Sequence, residues 1–220
     1  MGRAKLKRFK EIEHRFNVLQ EGHALYENIK GQWREKFFKN KQPIVLELAC
    51  GKGHYTTGLA MRNPNKNFIG IDIKGDRLCI GSTCSIENEL TNTAFLRAQI
   101  QQLTHFFATD EVDEIWITFP DPRPKDRDIK RRLTSPRYLN MYQDILKSHG
   151  EVRLKTDNEM LFNYTLALLN ERQDTKVLRS TNDLYQSSLL NEHHTIQTEF
   201  EMKFLKKNIP IKYLVFKFKS

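Results

Sequence analysis

Between Ile115 and Arg132 the chain reads Ile-Trp-Ile-Thr-Phe-Pro-Asp-Pro-Arg-Pro-Lys-Asp-Arg-Asp-Ile-Lys-Arg-Arg. An apolar run suited to a buried strand ends in a proline-stiffened acidic turn, and a basic segment follows at once. Asp121 therefore stands at the carboxyl end of a sheet strand, where open α/β sheets bind their ligands. The positive charge beside it suits a polyanion. A second constellation runs from Glu47 to Gly53, Glu-Leu-Ala-Cys-Gly-Lys-Gly. Gly51 and Gly53 at a strand-to-helix turn let the backbone bend sharply and approach a ligand closely. The dinucleotide fingerprint G-x-G-x-x-G is not met, because the next glycine is Gly58, and the P-loop pattern G-x-x-x-x-G-K-[ST] is absent. With neither phosphate cradle present, a nucleoside cofactor without phosphate fits better, and S-adenosyl-L-methionine is the obvious one. Glu47 is a carboxylate for its ammonium or sulfonium charge. Asp72 closes the next apolar run at the distance where an acid accepts hydrogen bonds from ribose hydroxyls.

The elements that must position these residues alternate. Strands are expected at 44–49, 68–73, 93–98, 113–119, 150–155, 175–180 and 213–218. Helices are expected near 30–39, 54–62, 75–90, 100–108, 136–147 and 158–171, and a polar stretch of loop or helix at 181–200. Such alternation predicts a Rossmann-like α/β fold, a mostly parallel seven-stranded sheet with helices on both faces. Two regions are expected: a basic N-terminal arm with a short helix over 1–40, and an S-adenosyl-L-methionine-dependent domain over 41–220.

Composition narrows the partners. The chain has 220 residues, 36 Lys and Arg against 27 Asp and Glu, and a formal net charge of +9. Basic residues cluster at 3–15, 123–137 and 203–219, which points to a nucleic acid. No apolar run is long enough for a membrane helix. Cys50, Cys79 and Cys84 form no CxxC pair, so a reduced, cytoplasmic protein is expected, with Cys50 a packing residue. His54, His105 and the pair His193-His194 lack metal-ligand spacing with any cysteine, and no metal is expected. Trp33 and Trp116 read as core or interface anchors. Monomer and homodimer both remain open.

From about Gly31 onward the chain resembles the bacterial tRNA (guanine-N7)-methyltransferases. The resemblance rests on Glu47–Gly53, Phe119-Pro-Asp-Pro122, Lys130-Arg-Arg-Leu133, Lys155-Thr-Asp157 and Thr198-Glu-Phe-Glu201. It implies methyl transfer from S-adenosyl-L-methionine to N7 of guanosine 46 in the variable loop of tRNA. It implies that Glu47, Asp72 and Asp121 contact the cofactor beside Gly51 and Gly53. Lys125, Asp157, Thr198, Glu199, Phe200 and Glu201 would contact substrate. Three positions depart from the family pattern. Ala49 replaces a glycine, Gln99 stands where an Asp cofactor contact is common, and Arg123 replaces a tryptophan.

The N7 lone pair of guanine lies in the ring plane and is free at neutral pH, so its methylation needs no general base. Catalysis would rest on alignment of sulfur, methyl and N7, an effect worth roughly 7–11 kcal/mol. N7 and O6 are both acceptors. Asp157 or Asp121 therefore belongs at the donor edge of the base, and Asp121 can offset the charge that develops on the ring. A-form RNA hides N7 in a deep, narrow groove, so the target must be unpaired. Arg131 and Arg132 are expected on RNA phosphates, against the simpler alternative of pairing with Asp126 and Asp128. Asp157 has the further role open to it of capping the next helix. Rival readings are a methyltransferase for another RNA or a small molecule, and a catalytically silent RNA-binding protein of the same fold.

Overall fold

The computed structural model describes residues 3–193 and 195–219, so His194 lies outside the described residues. Among these residues eight strands form one sheet: β1 Val18–Leu19, β2 Ile44–Leu48, β3 Asn67–Asp72, β4 Thr93–Arg97, β5 Val112–Thr118, β6 Leu146–Thr156, β7 Thr175–Thr181 and β8 Lys212–Phe218. Their order is β1-β4-β3-β2-β5-β6-β8-β7. All neighbours are parallel except β8, which runs antiparallel to both β6 and β7. Every residue of β2 and β3 is buried. A parallel sheet covered on both faces requires this, and it is why these strands read as unbroken apolar runs.

Among the described residues seven α-helices accompany the sheet: α1 Arg3–Ile12, α2 His54–Arg62, α3 Gly75–Glu87, α4 Leu103–Phe106, α5 Pro136–Ile145, α6 Glu159–Glu171 and α7 Glu199–Leu205. Alternating residues of β8 show the two layers. Leu214 and Phe216 join the core formed with α4, α5 and α6, through Phe106, Tyr142 and Phe162. Tyr213 and Val215 face the other way and join Tyr55 and Leu59 of α2. Ile12 of α1 and Leu78 of α3 pack with Phe95.

Three features differ from the sequence expectation. The sheet has an eighth strand, because Val18 and Leu19 pair with Phe95 and Leu96 at its edge. The stretch from Val18 to Phe38 is tied into the core: Leu19, Ile29 and Trp33 are fully buried, and Trp33 Nε1 donates to the Phe106 carbonyl at 2.8 Å. The segment expected as a short helix near 30–39 is a wide π-helical turn, Trp33–Phe38. Within the stretch 181–200 lie 3₁₀ turns at Leu184–Gln186 and Ser188–His193 and the start of α7. No helix among the described residues is long and apolar enough to cross a membrane.

Strand order reverses between β2 and β5. A crevice forms at the carboxyl ends of the strands at such a switch point. The glycine turn after β2 and the Pro-Asp turn after β5 both open onto it.

Candidate active site

A cleft of about 440 Å³ lies at this switch point, and Ala49, Asp72, Ile73, Gln99, Asp121 and Arg123 are among the residues that line it. Three acidic or amide side chains singled out in the sequence, Asp72, Gln99 and Asp121, thus meet around one space. They come from the ends of three different strands, β3, β4 and β5.

The turn that floors the cleft is held by carboxylates. Asp72 accepts from Gly51 N at 3.0 Å and from Lys74 N at 2.9 Å, which fixes the turn and the start of α3 together. Both oxygens keep lone pairs for a ligand. Gly51 has φ +58°, and a Cβ built there meets nothing within 4 Å. Gly53, at φ +69°, has no such room, since a Cβ would sit 2.6 Å from a ring carbon of Phe95. Ala49 takes the left-handed conformation too, at φ 55°, which accounts for the glycine common at that position.

Glu47 lies off the cleft wall and is 3% exposed. Its Oε2 accepts from Thr56 N at 2.8 Å and from Thr56 Oγ1, and its Oε1 accepts from Thr118 Oγ1 at 2.7 Å. Gly53, the N-cap of α2, has no side chain to cap that helix. Glu47 supplies the acceptor from β2 instead. Burial pushes its carboxyl up to about 7, against the opposing pull of the threonine donors.

Asp121 is different. Its side chain is 61% exposed, and Oδ2 pairs with Arg123 Nε at 3.1 Å. Its Oδ1 accepts from Arg123 N at 3.2 Å. Phe119 and Arg123, on either side, both have left-handed φ, 47° and 48°.

Four of the residues expected at substrate, Thr198, Glu199, Phe200 and Glu201, form the start of α7. Thr198 caps this helix in a capping box with Glu201. Glu199 accepts from Lys52 Nζ at 2.7 and 2.8 Å, so the helix start is latched to the glycine turn. The Lys52 ammonium holds the Glu199 carboxyl below its usual range. Glu201 is fully buried and pairs with Lys155 of β6 at 2.8 Å; both side chains are 0% exposed. Lys155 Nζ also stands 5.0 Å from the Tyr55 ring centroid, and burial lowers its pKa. Phe200, between the two glutamates, is 56% exposed. Asp157 follows β6, half-buried, and desolvation raises its pKa. The cap of α6 is not Asp157 but Asn158, whose side chain accepts from Leu161 N at 2.9 Å. Lys125 is exposed at the head of the 3₁₀ turn Asp126–Arg131.

The two arginines expected on phosphate part company. Arg131 is 68% exposed and pairs with Asp128 at 3.1 Å. Arg132 is buried, 4% exposed, with its guanidinium bonded to the Arg123 carbonyl. No solvent face of Arg132 is left for a phosphate.

Comparison with known proteins gives one consistent result. The family model described as "Putative methyltransferase" matches residues 41–214. The tRNA (guanine-N(7)-)-methyltransferase of Cytophaga hutchinsonii is 48% identical over 219 residues, 99% of each chain. That of Christiangramia forsetii is 48% identical over 98% of each chain. The chain belongs to the bacterial tRNA (guanine-N7)-methyltransferase family. Solved structures agree on the fold. The 16S rRNA methyltransferase KamB superposes with a TM-score of 0.61 at 14% identity, covering 91% of this chain and 96% of that one. A 30S ribosomal A1408 methyltransferase from an uncultured bacterium gives 0.56 at 18% identity, covering 82% and 90%.

In this methyltransferase the sequence reading missed Lys52, Lys155, Thr56 and Thr118. Lys155 carried a signal. The signal is the polar face of β6, where Lys155 alternates with Glu151 and Arg153 while Val152 and Leu154 form the apolar face, so charged residues stand in a central strand and require partners. Lys52 lay in plain view inside the glycine turn, but its partner is 147 residues away.

Proposed function

We propose that this protein transfers the methyl group of S-adenosyl-L-methionine to N7 of guanosine 46 in the variable loop of tRNA. The observation that carries the reading is the convergence of Asp72, Gln99 and Asp121 on one cleft at the sheet's switch point. The relatives' names, which specify guanine N7 in tRNA, supply the substrate class.

The cleft suits that cofactor. An adenosine with a free diol and a cationic amino-acid arm calls for carboxylate acceptors and an apolar ledge, with no phosphate cradle. Asp72 retains lone pairs for ribose hydroxyls, and exposed Ile73 offers a surface to a purine face. The Gln99 amide can bond adenine. Open space above Gly51 lets backbone and ligand approach closely. The partly exposed Asp121 can take a cationic arm or the donor edge of the target base. When bound, S-adenosyl-L-methionine supplies a methyl group already activated on sulfur.

The chain's own work is then to orient and to exclude. N7 carries its lone pair at neutral pH, so no side chain needs to remove a proton from it. An arginine capping N7 would block the attack, whereas a carboxylate at N1–H and the exocyclic amine orients the ring without touching the nucleophile. Alignment of this kind accounts for roughly 7–11 kcal/mol of barrier reduction. Thr198–Glu201, latched to the glycine turn through Glu199, brings substrate-binding residues to the cofactor. Lys125 and Arg131, both exposed, provide phosphate contacts that fix register and make affinity fall with salt.

The test is transfer of labelled methyl from S-adenosyl-L-methionine to tRNA, followed by digestion to nucleosides. Label in N7-methylguanosine is expected, and Asp121→Ala should lose most of it while its folding transition stays near wild type. Label in another nucleoside, or wild-type turnover by Asp121→Ala, refutes the assignment.

A further inference from the structure

Arg132 sits in the basic run Lys130-Arg-Arg, yet its guanidinium points inward. Nε and Nη2 donate to the carbonyl of Arg123 at 3.2 and 3.1 Å. The guanidinium carbon lies 4.4 Å from the ring centroid of Tyr164 on α6. The backbone around Arg132 is bolted to the helices behind it. Tyr142 Oη on α5 donates to the Leu133 carbonyl at 2.8 Å, and the Thr134 and Thr165 hydroxyls share a 2.7 Å hydrogen bond. Arg132 therefore has a rigid base on α5 and α6 and a planar head that reaches the loop after β5.

That loop needs a clamp. Phe119 and Arg123 both hold left-handed backbone conformations at φ 47° and 48°, which side chains with a Cβ disfavour. Asp121 lies between them, and its carboxylate is tied to the backbone and side chain of Arg123. Whatever fixes the Arg123 carbonyl also fixes the second bend, and with it the direction of Asp121. A planar fork with two parallel donors can do this, and a flexible ammonium cannot.

We propose that Arg132 is a positioning residue, which clamps the Arg123 carbonyl and so aims Asp121 into the cleft, and that it does not bind tRNA phosphate. The proposal rests on the methyl-transfer reading only for the consequence of misplacing Asp121. The clamp itself can be read without catalysis.

Four variants test it: Arg132→Lys, Arg132→Met, Tyr164→Leu and Arg131→Ala. Each is measured for kcat and KM of tRNA methylation, for the salt dependence of tRNA affinity, and for amide hydrogen exchange at residues 119–123. Arg132→Lys should lower kcat by about 10- to 100-fold, the scale of a small misplacement, with a wild-type salt slope and faster loop exchange. Tyr164→Leu keeps every charge and should move the same readouts in the same direction, which covers the case in which Arg132→Lys fails to fold. Arg131→Ala should reduce the salt slope by about one and leave loop exchange unchanged. A fall of about one in the salt slope of Arg132→Met, which unlike Arg132→Lys removes the charge, or wild-type kcat and loop exchange in whichever of the Arg132→Lys and Tyr164→Leu variants folds, overturns the proposal. Should wild-type protein transfer no methyl to N7, the functional reading fails alone, and the exchange rates still decide the clamp.

Discussion

Glu47→Gln should make the protein more stable in alkaline conditions and change how its stability depends on pH. The carboxyl is 3% exposed and raised from an ordinary 4.5 to about 7 in the fold. Desolvation is the main cause, and the three hydrogen bonds from Thr56 and Thr118 only partly offset it. Between those two pH values the native state binds more protons at this site than the unfolded state. Stability therefore falls as pH rises through the window. A rise from 4.5 to about 7 gives about 3 kcal/mol lost once the group is ionised in both states. Most of that change falls between pH 5 and pH 8. Gln keeps one oxygen for Thr56 N, and the Thr118 hydroxyl can rotate to accept from its amide, so the variant should fold. Urea unfolding of both proteins across this range is the assay. The gap between them should widen towards pH 8 by about 2–3 kcal/mol, which corresponds to roughly 5–10 °C in melting temperature. Parallel pH profiles would mean that Glu47 ionises without penalty, and the account of the buried carboxylate would be wrong.

Four further substitutions separate the site's parts. Lys155→Met strands the Glu201 carboxylate in a fully buried position, which should cost about 3–5 kcal/mol in urea unfolding, and adding Glu201→Leu should restore much of it; equal stability of the single and double variants would sink this reading. Gly51→Ala should lower stability by only about 1–2 kcal/mol, because its Cβ meets only a left-handed backbone penalty, while calorimetry with S-adenosylhomocysteine shows weakened binding. Gly53→Ala should do far more damage to folding, since its Cβ meets the Phe95 ring, so comparable melting temperatures for the two alanines would contradict the geometry. Ala49→Gly should relieve strain at φ 55°, less the roughly 0.4–1 kcal/mol that a glycine adds to unfolded-chain entropy. Thermal melts should therefore show it no less stable than wild type.

The sheet was legible because its central strands are buried on both sides. Ile44–Leu48 and Phe68–Ile73 leave no room for another reading. The edge was not legible, because Val18–Leu19 is two residues long and becomes a strand only by pairing with Phe95 and Leu96 far along the chain. No local pattern announces such a strand. β6 begins at Leu146 rather than near 150, since Leu146 pairs with Val112 across an irregularity in the ladder, and a bulge leaves no trace in hydrophobic alternation. α7 illustrates a different failure. Thr198-x-x-Glu201 is a capping box written in the sequence, but the same four residues were read as a substrate motif, and the helix they start was passed over.

The site shows why some roles escape a sequence. Asp72, Gln99 and Asp121 line one cleft; the family resemblance singled out Gln99, and strand-end logic singled out Asp72 and Asp121, because that logic depends only on where strands stop. It could not distinguish a carboxylate that faces a ligand from one that builds the turn beneath it. Glu47 is spent on α2 and β5, and Asp72 anchors Gly51 and Lys74 while it lines the cleft. Loss of activity in variants of either would mix damaged architecture with lost contact. Asp121 is tied only to its neighbour Arg123 and keeps most of its carboxylate in solvent. Of the three acids, it is the one whose removal reports on chemistry rather than on the fold, provided that the loop carrying it stays clamped. The burial of Arg132 matters for the same reason. A basic run suggests phosphate wherever it occurs, but a guanidinium turned inward onto a carbonyl can act on the reaction only through the geometry it imposes.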